Sequence, residues 1–326
     1  MKFIASILSM FTLFSCLTKN EEVVHITGNT MGTYYSVKVV GADVDREALK
    51  VQVDGLLKEV NNVFSTYIKD SELSKLNKSH LSIPIKITPV LAEVLKLSKS
   101  IYKDSEGAFD VTIGPLVNLW GFGPDKIRKQ PTDQEIMKKM SDVGSDHFRL
   151  IESTIIKSKP NLYIDLSAIA KGQGVDDVAL ILTSIGFKSF LVEIGGEVRG
   201  QGLKPDGSKW RIGIEKPSEE LGQAIQKVID LDNMSIATSG GYRNYLKYGD
   251  KIFSHTINPK TGRPVDHKLV SVSVLNPSCA VADAWATAFM VLGAEKGLDI
   301  ANRLGLKAYF LVKTDKGFKE LQSSKF

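Results

Sequence analysis

The stretch GGEVRGQG, at residues 195–202, decides which class of fold the chain can adopt. Clustered glycines of this kind are typical of dinucleotide-binding folds, which require an apolar helix to open behind them. No such helix pattern follows residue 202. Predicted strands and helices also fail to alternate regularly along the rest of the chain. The sequence therefore predicts one α+β domain of mixed sheets with packed helices, and not a doubly wound sheet.

Hydrophobic periodicity and capping signals predict the elements around that stretch. Apolar residues spaced three and four apart between Leu49 and Val63 are typical of an amphipathic helix. Thr88-Pro89 and the sequence TDQE at residues 132–135 are helix starts. The predicted helices cover residues 45–64, 88–102, from 132 onward, 174–185 and 281–304, and the predicted strands cover residues 33–40, 162–165, 190–194, 210–214, 228–231, 269–275 and 307–312.

The overall composition is that of a globular protein. The chain has 326 residues, of which 43% are hydrophobic and 24% charged, and this excludes a disordered chain and a small disulfide-stapled scaffold. The formal net charge of +5 is scattered along the chain without a Lys/Arg block, so we expect no nucleic-acid partner.

The N-terminus carries the pattern of an exported lipoprotein. A positively charged start precedes an apolar run that is too short to span a bilayer, so residues 1–15 are predicted to be a signal peptide. Cys16 ends this run in the sequence LFSC, which resembles the lipoprotein box whose cysteine is lipidated. We expect a lipidated Cys16 and linker at residues 16–22 and a tethered domain at residues 23–326. An ordinary signal peptide with cleavage elsewhere is the alternative.

Standard enzyme motifs are missing from the chain. There is no Gly-x-x-x-x-Gly-Lys-Ser/Thr loop, no His-Glu-x-x-His and no Gly-x-Ser-x-Gly, so a kinase, zinc protease or serine hydrolase of standard pattern is not supported. Polar and small residues cluster instead in five segments, at residues 107–123, 165–172, 237–244, 254–264 and 282–288.

The segment at residues 165–172, DLSAIAKG, follows a predicted strand and precedes a predicted helix. A turn there would present the Asp165 carboxylate, free backbone groups and the Lys171 ammonium together. A helix N-terminus with an added point charge suits a phosphate. The alternative is that Asp165 is a helix cap and Lys171 a solvated surface residue.

The segment at residues 282–288, ADAWATA, places Asp283 and Thr287 four residues apart, on one face of a helix. Because the neighbours are small or apolar, we expect the carboxylate to be partly buried, where it needs a partner or a cation. Carboxylate, hydroxyl and carbonyl oxygens suit Mg²⁺ or Ca²⁺ and not zinc. The alternative is an Asp that caps the helix while Thr287 bonds to a carbonyl.

The other three segments are turn-rich. His255 precedes a tight turn marked by Asn-Pro and Thr-Gly, where it is either a base or a structural histidine. Residues 237–244 are predicted to be a loop of small residues that ends near Arg243. The glycines and aromatics of residues 107–123 would line a pocket for a flat ring or a turn-rich edge of the core.

Together, and in this order, these segments resemble the ApbE family of bacterial flavin transferases. The similarity covers nearly the whole chain after the N-terminal region. It runs through residues 31–33, 65–67, 71–77, 107–123, 165–172, 193–197, 237–244, 255–264 and 282–287. The resemblance implies an ApbE-like domain that transfers FMN from FAD to a Thr or Ser hydroxyl of an acceptor protein. The product is a phosphoester, and AMP is released.

The resemblance also implies site residues. Asp283, Thr287 and the backbone carbonyl of Ala168 match the ligands of Mg²⁺, which assists phosphoryl transfer. His255 matches a catalytic base, and Asp283 is catalytic through the metal. The implied FAD contacts are Met31, Tyr67, Ala108, Phe109, Asp110, Asp165, Lys171 and His255. Three further residues match family motifs without an assigned role: Glu193, Glu197 and Arg243.

The resemblance implies a partner and a location as well. The acceptor would be another protein with a Ser/Asp-Gly-Ala-Ser/Thr-Ser/Thr motif, such as a redox-pump subunit, because this chain has no good copy of the motif. Lipoprotein members of the family share the N-terminal pattern, so we expect a location in the bacterial cell envelope, anchored to a membrane and facing the periplasm.

Two alternatives to the transferase stay open. One branch of the family hydrolyses FAD to FMN and AMP, and that behaviour is associated with Asn at the position that Tyr67 occupies here. Tyr67 therefore favours transfer, and a periplasmic FAD pyrophosphatase is the first alternative. The second is a lipoprotein that binds flavin without cleaving it.

Overall fold

The structure, a computed structural model, describes residues 21–79, 83–124, 129–215, 225–241, 245–249 and 251–326. The helices are α1 (Arg46–Phe64), α2 (Glu72–Lys78), α3 (Pro89–Asp104), α4 (Gly114–Leu119), α5 (Asp133–Met140), α6 (Ala170–Ser184), α7 (Cys279–Leu292) and α8 (Ala294–Leu304). Within these described ranges, no helix has both the length and the apolar character needed to cross a membrane. The predicted signal peptide and Cys16 lie outside the described residues.

Most of the strands belong to one sheet or to short hairpins around it. They are β1 (Glu22–Thr30), β2 (Thr33–Gly41), β3 (Ile85–Lys86), β4 (Phe148–Ile151), β5 (Thr154–Lys157), β6 (Phe190–Ile194), β7 (Glu197–Gln201), β8 (Trp210–Glu215), β9 (Ile225–Leu231), β10 (Met234–Gly240), β11 (Tyr245–Tyr248), β12 (Lys251–Ser254), β13 (Ile257–Asn258), β14 (Arg263–Pro264), β15 (Leu269–Asn276), β16 (Lys307–Thr314) and β17 (Gly317–Gln322). The main sheet has the order β1-β2-β6-β7-β10-β15-β16-β17, and each neighbouring pair is antiparallel.

The glycine-rich stretch forms a hairpin in the middle of this sheet. Gly195 and Gly196 have φ angles of +58° and +103° and form the two-residue turn between β6 and β7. Tight hairpin turns favour glycine because their central residues take positive φ angles. The antiparallel pairing that follows confirms that the stretch is not a dinucleotide-binding loop and that the fold is a single α+β domain.

Helices cover one face of the main sheet and a hairpin covers the other. On the helical face, α1 and α6 bury Val53 and Val178 against Val37 of β2. On the opposite face, Trp210 of β8 and Leu231 of β9 pack against the sheet. Full burial of an aliphatic side chain contributes about 1.5–3 kcal/mol, so both faces of the sheet stabilise the fold. Helix α7 lies across β10 and β15 and carries one wall of the site described below.

Local signals predicted several element boundaries correctly. Helix α3 begins at Pro89 behind the cap Thr88, and α1 begins behind the cap Asp45. The capping box of α5 has both of its contacts, since the Glu135 N–H donates to Thr132 Oγ1 at 3.3 Å and the Thr132 N–H donates to Glu135 Oε2 at 2.9 Å. These caps are local contacts within one turn of sequence, which is why the pattern alone specifies them.

The predicted strand at residues 162–165 is wrong. This extended segment pairs with a side chain instead of a neighbouring strand. Asn77 of α2 donates from Nδ2 to the Ile164 carbonyl at 2.8 Å and accepts from the Ile164 N–H at 2.8 Å. The Asp165 N–H donates to the Val111 carbonyl at 2.7 Å. These contacts satisfy the backbone that a ladder would otherwise satisfy, and they fix the start of the 165–172 segment.

Two helix predictions also need correction. Helix α6 begins at Ala170 and not at residue 174, so Lys171 and Gly172 lie in its first turn. Glycine is a poor helix former, and Gly172 and Gly174 among the first five residues of α6 weaken the helical sequence pattern there. The single helix predicted at 281–304 is two helices, because Gly293 (φ +77°) ends α7 before α8 begins.

Candidate active site

All five segments singled out by the sequence line one cavity of about 400 Å³. A volume of this size is typical of a site for a small molecule or cofactor. The helical wall comes from α7 and the first turn of α6, and the sheet contributes the β6–β7 turn and the end of β10. The predicted loop at residues 237–244 is wrong in its first half, because residues 237–240 belong to β10 and pair with β15. Arg243 lies outside the described residues.

Asp283 and Thr287 face this cavity from one side of α7. Asp283 is buried, and its Oδ2 accepts a hydrogen bond from the Gly172 N–H at 3.0 Å. The cap of α7 is Ser278, so the alternative in which Asp283 caps the helix is wrong. Burial raises the pKa of Asp283, although the Lys171 charge and the Gly172 N–H oppose the shift.

Lys171 and Glu197 form an ion pair beside Asp283, in which Glu197 is buried and the Lys171 side chain is 31% exposed. Lys171 Nζ lies 2.5 Å from Glu197 Oε1, and both side chains line the cavity. Burial disfavours the ammonium, but the charges of Asp283 and Glu197 outweigh it and raise the pKa of Lys171. Burial and the Asp283 charge raise the pKa of Glu197 to about 7 against the opposing effect of Lys171. The alternative in which Lys171 is simply a solvated surface residue is therefore wrong, because its ammonium faces two carboxylates.

Two further carboxylates shape the loops at the cavity. Asp165 Oδ1 accepts from the Ser167 N–H at 2.8 Å, which tightens the turn before α6 and leaves Ile169 as the helix cap. Asp110 is buried, and its Oδ1 accepts from the Thr112 N–H at 2.9 Å and from Ser145 Oγ at 2.8 Å. Burial raises the pKa of Asp110 against these hydrogen bonds.

Aromatic residues and His255 surround the remainder of the cavity. Tyr67 is 61% exposed, and its hydroxyl donates a long hydrogen bond of 3.4 Å to the Phe122 carbonyl. The Phe122 ring meets the His255 imidazole edge to face, with ring centres 6.4 Å apart. Ala108 and Phe109 contribute the lining next to Asp110. The predicted tight turn after His255 is confirmed as the β13–β14 hairpin.

Some predicted residues lie elsewhere, and some lining residues were not predicted. Met31 forms the turn between β1 and β2 with a φ angle of +50°, packs near Gly174 and is not part of the cavity lining. Glu193 accepts a hydrogen bond from the Tyr34 hydroxyl at 2.9 Å and is also absent from the lining. Val291 of α7 lines the cavity, but a single apolar residue in an apolar helix gives no sequence signal.

Asp176 is a structural residue that the sequence pattern did not reveal. From α6 it accepts hydrogen bonds at the first turn of α7, from the N–H groups of Cys279 and Ala280, both at 3.0 Å. It also accepts from Ser278 Oγ at 2.8 Å and pairs with Arg199 at 2.8 Å. An anion at a helix N-terminus is favourable, so Asp176 fixes α7 against α6. In the sequence, Asp176 is one of two consecutive aspartates inside a helix, and this pattern does not indicate a contact with the N-terminus of another helix.

The side chains present fit a hard cation better than a transition metal. No cluster of three or more His, Cys, Asp or Glu side chains suited to a metal occurs in the ranges that the structure describes. The cavity instead combines the Asp283 carboxylate, the Thr287 hydroxyl and the backbone at Ala168, which supply oxygen donors only. Mg²⁺ is commonly held by one or two carboxylates and completed by substrate phosphates and water, so this set fits it.

An oxygen donor set beside a partly buried lysine at the start of a helix suits a phosphorylated ligand. Residues 31–310 match the profile of the ApbE family, and the chain belongs to that family. The FAD:protein FMN transferase of Vibrio cholerae serotype O1 is 44% identical over 326 residues, which cover 99% of this chain and 97% of that protein. The Escherichia coli K12 protein of the same name is 38% identical over 315 residues, which cover 95% of this chain and 90% of that protein.

Solved structures agree with this assignment. The flavin transferase ApbE from Vibrio cholerae superimposes with a TM-score of 0.87 at 45% identity, covering 94% of this chain and 98% of that one. The apo form of the flavinyl transferase ApbE from Pseudomonas stutzeri gives a TM-score of 0.87 at 37% identity. The match covers 94% of this chain and 96% of that one. The fold expected from the sequence is thereby confirmed.

Proposed function

We propose that this protein transfers FMN from FAD to a Thr or Ser hydroxyl of an acceptor protein and releases AMP. The observation that carries the proposal is the single cavity in which Asp283, Thr287, Lys171 and His255 meet. These residues supply what transfer between phosphate groups needs, namely a cation site, a positive charge and a proton acceptor. The names of the similar proteins support the same reaction.

The positive groups of the cavity determine where the diphosphate of FAD binds. Lys171 is held at the start of α6, where a helix N-terminus and an ammonium both attract phosphate oxygens. Asp283, Thr287 and the Ala168 carbonyl would hold Mg²⁺, which when bound offsets negative charge on the diphosphate and on the departing AMP. The rings of Phe109 and Phe122 line the remaining wall and offer apolar surface to a flat ring.

In the transfer step, His255 is the proton acceptor. The hydroxyl oxygen of the acceptor forms a bond to the phosphorus of the FMN half, and the bond from that phosphorus to the bridging oxygen breaks. AMP leaves with the bridging oxygen. A hydroxyl is a weak nucleophile, so His255 takes its proton as the new bond forms.

The test is incubation of the folded domain with FAD and Mg²⁺, with and without a peptide that carries the acceptor motif Ser/Asp-Gly-Ala-Ser/Thr-Ser/Thr. The mass of the peptide and the release of AMP are followed together. A peptide that gains one FMN, with AMP formed only in its presence, supports the transferase. AMP and free FMN in equal amounts without peptide indicate the pyrophosphatase, and bound but uncleaved FAD indicates a binding protein.

We further propose that the domain is attached to a membrane through a lipidated Cys16 and faces the periplasm, where a redox-pump subunit would be its acceptor. The sequence pattern at residues 1–16 supports this location. Expression of the full chain and of Cys16→Ser in a bacterial host tests it. The unchanged chain should be recovered with membranes and carry acyl chains by mass spectrometry, and the variant should carry none.

A further inference from the structure

Glu197 has no role in the reaction described above, yet it is among the most deeply buried charged residues of the cavity. It is 2% exposed, and it lies at the first position of β7, directly after the Gly195-Gly196 turn. Oε1 is paired with Lys171 at 2.5 Å. Oε2 is buried and has no hydrogen-bond partner among the described residues. One half of this carboxylate is therefore satisfied and the other half is not.

An unsatisfied buried carboxylate oxygen is unfavourable, because the group has lost its water and gained nothing in return. Such an oxygen in a cavity wall marks a position where a ligand donates a hydrogen bond. None of the described residues donates to Oε2, although Lys171 pairs with the neighbouring oxygen. The missing partner must therefore carry an O–H or N–H group.

We propose that Glu197 is a substrate-binding residue whose Oε2 accepts a hydrogen bond from a sugar or ribityl hydroxyl of FAD. The inference rests on the proposed function, because the donor belongs to FAD. Phosphate oxygens accept hydrogen bonds and repel a carboxylate, so the diphosphate does not satisfy Oε2 of the ionised Glu197 that is paired with Lys171. Hydroxyl groups flank the diphosphate on both sides, and Lys171, which attracts the diphosphate, touches Glu197. Glu197 thus orients Lys171 through Oε1 and binds the neighbouring hydroxyl of FAD through Oε2.

The experiment measures the affinity for FAD by quenching of flavin fluorescence, once in EDTA and once in Mg²⁺. Glu197→Met removes both oxygens at nearly constant length, and Glu197→Ala leaves room for water where the first variant fails to fold. Each should bind FAD at least about 10-fold more weakly in EDTA, the scale expected when a hydrogen bond between substrate and charged group is lost. Glu197→Gln should stay within about 3-fold of wild type, because its amide can bond both Lys171 and a hydroxyl.

Glu193→Gln is the matched control, since Glu193 lies four residues earlier, on the partner strand of the same hairpin, but not in the cavity lining. It should bind FAD like wild type. Wild-type affinity in both Glu197→Met and Glu197→Ala would overturn the proposal. A loss that appears only in Mg²⁺ would also overturn it, because the donor would then be metal-bound water.

The two proposals fail in distinguishable ways. If wild-type protein neither binds FAD nor modifies the acceptor peptide, the proposed function is wrong, whatever Glu197 does. If wild type binds FAD and transfers FMN while the Glu197 variants bind FAD equally well, only the role of Glu197 is wrong.

Discussion

The backbone N–H of Gly172 donates a hydrogen bond to Asp283 Oδ2 across 3.0 Å, so the first turn of α6 directly fixes the carboxylate on α7. The two helices approach closely at this point. A Cβ atom on Gly172 would lie 2.7 Å from the Cys279 carbonyl carbon and 2.8 Å from the Ala280 Cα. Both are backbone atoms, so the helices cannot accommodate the extra methyl group without moving apart.

Gly172→Ala should therefore separate α6 from α7. We expect unfolding to become easier by about 1–3 kcal/mol, as in other overpacked cores, and the Mg²⁺ concentration for half-maximal transfer to rise. Thermal unfolding and a Mg²⁺ titration of activity measure the two effects. Gly55→Ala in the exposed part of α1 is the control, because its Cβ meets nothing and alanine favours the helix. Equal behaviour of the two variants would contradict the close approach.

Asp283→Asn tests the cation site. The amide oxygen can still accept from Gly172, but the carboxylate charge is lost, so we expect transfer to fall at least about 100-fold in any Mg²⁺ concentration. Stability should not fall, because removing a buried charge relieves its desolvation and leaves Lys171 paired with Glu197. Enzyme assays across a Mg²⁺ series and thermal unfolding give both values. Transfer with an unchanged Mg²⁺ requirement would exclude Asp283 as a ligand.

His255→Ala tests the proton acceptor. We expect the rate constant for transfer to fall by about 10²–10⁴, the usual contribution of a general base, while FAD is still bound. Single-turnover transfer rates and FAD affinity of wild type and variant separate the two effects. Transfer at the wild-type rate in the variant would assign the base to another group.

Contacts between near neighbours in the sequence were predictable, and contacts between distant residues were not. Thr132 and Glu135 are three residues apart, so the capping box follows from the sequence alone. Asn77 and Ile164 are 87 residues apart, and nothing in a single amide side chain indicates that it replaces a strand. For this reason the sequence predicts a strand at residues 162–165 that the tertiary contacts prevent.

The candidate site shows the same division. Its five segments were predictable, because clustered small and polar residues are out of place in a helix or strand interior. The pairing of Lys171 with Glu197 was not, since it depends on the β6–β7 turn bringing residue 197 against α6. The two residues are 26 positions apart and each resembles a surface residue when taken alone.

Tyr67→Asn tests what keeps water from the phosphates. The Tyr67 ring lines the cavity and its hydroxyl makes only a 3.4 Å hydrogen bond, so a smaller side chain should open access for water. We expect AMP release without acceptor to rise several-fold. Tyr67→Phe keeps the ring and should keep the low rate. The same low rate in Tyr67→Asn would show that the ring does not limit hydrolysis.

Asp177 on α6 makes stability depend on pH. Burial, together with the neighbouring Asp176 charge, raises its pKa from 3.8 to about 6, although Gln173 donates to it at 2.8 Å. A raised folded-state pKa means that its contribution to stability is full below pH 3.8 and is lost as the pH rises through about 6. At pH 8 the ionised carboxylate is destabilising. Asp177→Asn should therefore raise the free energy of unfolding at pH 8 by about 1–2 kcal/mol, since one pKa unit corresponds to about 1.4 kcal/mol and the group is partly exposed.

Urea unfolding of wild type and Asp177→Asn between pH 4 and pH 8 measures this effect. The two curves should lie close together near pH 4, diverge as the pH rises to about 6, and stay a constant distance apart above it, because the carboxyl is then ionised in both the folded and the unfolded wild-type chain. Asp315→Asn, in the exposed turn between β16 and β17, should follow wild type throughout. Curves that stay parallel from pH 4 to pH 8 would show that Asp177 keeps its unfolded-state proton affinity in the folded protein. The ionised Asp177 carboxylate would then not lower the free energy of unfolding.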